Sequence, residues 1–97
     1  MILQNEVTEM KIKGEYVMRE VMGETLLIPV GETALAFNGM ITLDPVSALI
    51  WKGVEAGQSK SDILTAILDT FDVEEAVASA DLDDFLAQME KAGLLQY

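Results

Sequence analysis

Apolar positions along this 97-residue chain change their period once. Up to about residue 43 they come in short runs rich in β-branched and aliphatic types. After Asp44 they recur every three or four residues. Strands first and helices afterwards is the α+β pattern. Residues 16–21 and 25–30 read as two strands. Met22-Gly23 between them fits a tight turn in which Gly23 takes a positive φ. Pro29 has no N–H for a ladder, so it belongs at a strand end or on an edge. Asn38-Gly39, a favoured type I′ pair, predicts a second hairpin joining residues 34–37 to the strand Met40, Ile41, Thr42 and Leu43.

Three helices are predicted next. Asp44 is a good N-cap, and Pro45 fits the first helical position, where its missing N–H costs nothing. Val46, Leu49, Ile50 and Val54 then form one stripe, and Gly57 ends the segment. Trp51 sits near the edge of that stripe, which predicts partial burial. Ser59 and Asp62 have capping-box spacing, with Asp for the usual Glu, and open a second helix. Its wide stripe of Ile63, Leu64, Ile67, Leu68 and Phe71 predicts deep packing. The third helix is expected to open at Asp72, with Glu75 three residues on. Ala78, Leu82, Phe85, Leu86 and Met89 share one face there. Lys91 suits the negative end of the dipole, and Gly93-Leu94 predicts a Schellman ending with Leu94 folded back on Met89. Residues 1–13 follow neither period and read as a loose leader, leaving 14–97 as the domain.

Composition removes whole classes of chemistry. The length suits one domain with a modest core. With no Cys there are no disulfides and no thiolate metal sites. With no His, the commonest general base and metal ligand are missing, so a Ser-His-Asp centre is impossible. No Gly-rich phosphate loop is present. Asp81, Asp83 and Asp84 lie close together in sequence, but Asp81 and Asp83 differ by about 200° around a helix, so those two do not converge on one ion. No catalytic group, metal or cofactor is expected.

Seventeen acidic residues against six basic ones give a formal charge of −11. That argues against nucleic acid and anionic membrane, which need clustered Lys and Arg. Residues 61–90 hold nine acids and no base, which reads as a solvated acidic face or a surface for a basic partner. No run approaches the ~20 apolar residues of a membrane span, and the N-terminus lacks the pattern of a signal peptide. A cytoplasmic protein is the expectation. The short sheet must leave an edge whose unpaired N–H and C=O groups invite another strand.

In this order, GETLLIPVG, FNGMITLDPVSALIW, KSDILTAILDTFDV and DLDDFLAQMEKAGLL resemble the coenzyme PQQ synthesis protein D (PqqD) family over about residues 14–95. The resemblance implies a winged-helix-like fold. It also implies a non-enzymatic recognition domain, or peptide chaperone. Such a domain binds the leader of a ribosomally made precursor and presents it to a modifying enzyme, often a radical S-adenosylmethionine (SAM) protein. In the family the leader adds along the third strand and lies against the third helix. The matching positions here are Met40, Ile41, Thr42 and Leu43 on the strand, and Asp81, Asp84, Phe85 and Gln88 on the helix. The opposite flank, with Ser79, Asp83 and Glu90, is the alternative face. The rival functions are a winged-helix nucleic-acid binder and a structural subunit that pairs its open edge with itself.

Overall fold

Asp44 and Ser59 start their helices as the sequence predicts, and those two caps decide where the helical layer begins. The computed structural model of the chain describes residues 10–36 and 39–97. Its elements are β1 (Lys11–Ile12), β2 (Tyr16–Val21), β3 (Glu24–Pro29), α1 (Glu32–Ala36), β4 (Ile41–Leu43), α2 (Pro45–Glu55), α3 (Lys60–Thr70), α4 (Glu75–Lys91) and β5 (Leu95–Gln96). This is an α+β fold: a small antiparallel sheet precedes three helices, with α1 as an extra short helix between strands.

β3 is the central strand of a β2-β3-β4 sheet. Leu27 lies opposite both Met18 and Ile41, and it is completely buried. Because side chains alternate along a strand, Tyr16, Met18, Leu27, Ile41 and Leu43 share the inner face. Val17, Arg19, Leu26, Ile28 and Thr42 share the outer one. Both residues of the β2–β3 turn have positive φ, 53° at Met22 and 84° at Gly23, which is the type I′ geometry suited to strand twist. The positive φ expected of Gly23 alone therefore extends to Met22, whose side chain is 98% exposed.

The helices cover the inner face. Asp44 Oδ1 accepts from Ser47 N at 2.8 Å, and Ser59 and Asp62 form the reciprocal capping box. α2 and α4 both end in Schellman geometry. Gln58 N donates to Gly53 O at 2.9 Å, and Leu94 N donates to Met89 O at 2.9 Å. Gly57 and Gly93 take the positive φ that these endings require. Ile50, Trp51 and Val54 of α2, Ile63 and Ile67 of α3, and Ala78, Leu82, Leu86 and Met89 of α4 form the core with Leu27 and Leu43.

Several expectations are corrected. Residues 34–36 are helical rather than extended. Ala34, Leu35 and Ala36 are strong helix formers, and this local preference prevails over the extended pairing expected with β4. Phe37 and Asn38 lie outside the described residues, so the turn expected at Asn38-Gly39 does too. α4 is capped at Glu74 with no side-chain cap bond, not at Asp72. Trp51 is 2% exposed rather than partly buried, because the sheet covers the flank that the helical stripe leaves open. The stretch read as a loose leader ends in structure: Met10 is buried, Lys11–Ile12 pairs with Leu95–Gln96, and Lys13 N donates to Leu94 O at 2.8 Å. Residues 1–9 lie outside the described residues.

Candidate functional site

β4 is an edge strand. Its three ladder pairs, Ile41 with Leu27, Thr42 with Leu26 and Leu43 with Thr25, all lie on the β3 side. Among the described strands none pairs with its other side, so that row of backbone groups is available for a further strand. Asp44 follows at once and turns the chain into α2 through its bond to Ser47 N. The end of the strand and the first turn of the helix therefore form one fixed corner.

α4 closes the space beside that corner. Between them is a cleft of about 300 Å³, lined by Asp44, Val46, Ser47 and Ile50 from the corner and by Asp81, Asp84, Phe85 and Gln88 from α4. The four α4 positions have i, i+3, i+4, i+7 spacing, which places them on one helical face. Gln88 Nε2 donates to Asp84 Oδ2 at 3.0 Å, so these two side chains hold each other one turn apart. The other flank points elsewhere, since Asp83 forms an ion pair with Lys60 at the start of α3. Of the two flanks weighed from sequence, the one bearing Asp81, Asp84, Phe85 and Gln88 lines the cleft. Phe85 is half-buried and also borders a narrow apolar gap beside Ile12, Trp51 and Leu95.

The strand residues are placed differently. Met40 is 62% exposed and Leu43 is in the core. Ile41 is half-buried on the inner face, and Thr42 is exposed on the outer one. None of these four lines the cleft, which reaches β4 only through Asp44. Leu43 instead borders a second groove of about 630 Å³, whose rim carries Arg19 and Lys52.

Sequence reasoning treated Asp44 only as a cap and did not single out Val46, Ser47 or Ile50 as cleft residues. The signal was present. A helix that starts immediately after an edge strand must set its first-turn residues beside the end of that strand. Electrostatically the cleft holds three carboxylates. None of Lys11, Lys13, Arg19, Lys52, Lys60 or Lys91, the chain's basic residues, lines it. Asp81 and Asp83 diverge, one into the cleft and the other to Lys60. Among the described residues no group of three acidic side chains is arranged to hold a metal ion. No helix among them is long and apolar enough to cross a membrane.

Comparison with known proteins places this geometry in context. The family profile described as coenzyme PQQ synthesis protein D (PqqD) matches residues 15–95. No curated protein matches the chain. Among solved structures, TbiB1 in complex with the TbiA(beta) leader peptide superposes with a TM-score of 0.69 at 27% identity, covering 89% of this chain and 94% of that one. Lasso peptide synthetase B1 complexed with the leader peptide superposes with a TM-score of 0.71, covering 92% of this chain and 99% of that one. At 17% identity, that second likeness speaks to the fold alone.

Proposed function

Because the chain belongs to the coenzyme PQQ synthesis protein D (PqqD) family, we propose that it is a non-enzymatic recognition domain for the leader of a ribosomally synthesised precursor peptide. The leader adds as a strand to the free side of β4, and the domain presents it to a modifying enzyme, a radical SAM protein being one such partner. The observation that carries this reading is the continuity of an edge strand with a cleft: Asp44 follows directly on the last residue of β4, and Asp44 is also a wall of the space bounded by α4.

Each part has a separate task. The backbone of Met40, Ile41, Thr42 and Leu43 supplies N–H and C=O groups that bind any extended chain with little regard to its sequence. An added strand lies roughly 4.7–4.9 Å from β4 and directs every second side chain to the inner side of the sheet. Asp81, Asp84, Phe85 and Gln88 meet those side chains and select among them. TbiB1, the more similar in sequence of the two solved neighbours, was itself captured with a leader peptide, which supports the reading. The work of such a domain lies in the cytoplasm, where precursor peptides are made.

The rival functions are less well supported. A nucleic-acid reader needs Lys and Arg against phosphate, whereas the helices after residue 60 present acids. Self-pairing through β4 uses the same edge, and a light-scattering concentration series distinguishes it.

The test is amide-shift mapping of the full chain with a synthetic leader from a precursor encoded beside its gene. Shifts at residues 40–43 and 81–88 are the expected result. Shifts confined to β1, β5 or the outer sheet face, with both segments silent, would overturn the site.

A further inference from the structure

We infer that the peptide bound at β4 inserts a Lys or Arg side chain into the cleft between α2 and α4. This rests on the peptide-binding reading above and specifies what the site selects. The acids do not by themselves define the site, which is assigned from the strand edge and the cleft. They decide what the cleft accepts.

The lining has two kinds of surface. Val46, Ile50 and Phe85 are apolar walls, and Asp44, Asp81 and Asp84 are carboxylates with no basic residue among them. Asp44 has one oxygen engaged by Ser47 N, and Asp84 has one engaged by Gln88. Asp81 makes no ion pair among the described residues. On the other flank Asp83 pairs with Lys60, whereas the cleft carboxylates have no basic residue beside them.

A long basic side chain fits both surfaces. Its aliphatic stem covers apolar walls while its head stays polar, and its N–H groups match the carboxylate oxygens still open. The face of an aromatic ring such as Phe85 also attracts a cation. An acidic side chain would be repelled by three carboxylates. An apolar one would cover those carboxylates without pairing them, which is costly. The net charge of −11 adds long-range attraction for a cationic segment.

The experiment selects an mRNA-displayed library of random dodecapeptides on the full chain. The library is then selected again on Asp81→Asn/Asp84→Asn, and on a charge-matched control, Asp69→Asn/Glu90→Gln, altered outside the cleft. Peptides enriched on the native chain are expected to share Lys or Arg at one fixed position, and the control is expected to retain that preference. The cleft variant should still enrich extended peptides but lose the preference. Replacing that Lys or Arg by Met in a selected peptide should weaken binding to the native chain by about two- to fivefold, less in high salt, and leave binding to the cleft variant unchanged. Enriched peptides with no positional basic residue, or a preference that survives in the cleft variant, would overturn the inference and leave peptide binding intact. If no peptide is enriched at all, the peptide-binding reading fails and the inference fails with it.

Discussion

The ring of Tyr16 meets that of Trp51 edge-on, with centroids 5.5 Å apart and planes at 87°. One residue belongs to the inner face of β2 and the other to α2, so the contact joins the sheet layer to the helical layer. Edge-to-face pairs stabilise by roughly 0.5–1.5 kcal/mol beyond the area they bury. Truncating Trp51 removes the pair and leaves a cavity among the core residues. Trp51→Ala is expected to cost about 3–5 kcal/mol, a large share of the roughly 5–15 kcal/mol typical of a domain. Urea unfolding measures it, and a loss below about 1 kcal/mol would show that the two layers are held together elsewhere.

Burial holds the Tyr16 phenol above its ordinary pKa of 10.0. The fold thus favours the neutral form, and above pH 10 the native state keeps a proton that the unfolded chain has lost. This contribution to stability is complete below the unfolded pKa and is lost as pH rises through the folded one. Urea midpoints followed from about pH 9 to about pH 11 should fall more steeply for the native chain than for Tyr16→Phe. Parallel curves would contradict the assignment.

At Gly53, α2 packs tightly against α3. A Cβ there would sit 2.6 Å from Cγ1 of the buried Ile63 and 2.9 Å from Oε1 of Gln58. Gly53→Ala gains about 1 kcal/mol of helix propensity but meets an overpacking cost of about 1–3 kcal/mol. A net fall in melting temperature is expected, and a larger one for Gly53→Val. A stabilised Gly53→Val variant would mean that the two helices separate freely.

Asp44 combines two roles that substitution separates. Asp44→Ala removes the cap on Ser47 N and is expected to destabilise by about 0.5–2 kcal/mol. Asn caps a helix about as well as Asp, so Asp44→Asn should keep the stability and lose only the cleft charge. Thermal unfolding reads the first effect, and titration with a basic peptide reads the second. Equal stability loss in both variants would show that the charge, not the cap, holds the corner.

Thr42 lies on the outer face of β4, away from the cleft, so Thr42→Ala should change peptide affinity by less than about twofold, because backbone groups carry the pairing. Single N-methylation along the bound peptide should weaken binding at alternate positions, since only every second amide of an added strand faces β4. A uniform loss at every position, or none, would rule out strand addition.

The elements that depend on close neighbours in sequence were legible from the residues alone. Asp44 reaches Ser47 and Ser59 reaches Asp62 three residues on, and the Gly93 ending needs only Met89, Glu90 and Leu94. The helical positions 81, 84, 85 and 88 likewise share a face by period alone. Tertiary structure decided what depends on distant partners. Residues 11–12 become a strand only because 95–96 arrive beside them. Trp51 is fully buried because Tyr16 comes from the other layer, and α4 turns Asp81 and Asp84 to the cleft while Lys60 draws Asp83 the other way. A cap or a period is settled within one or two helical turns of chain, whereas these outcomes are settled by which surfaces meet once the whole chain has collapsed.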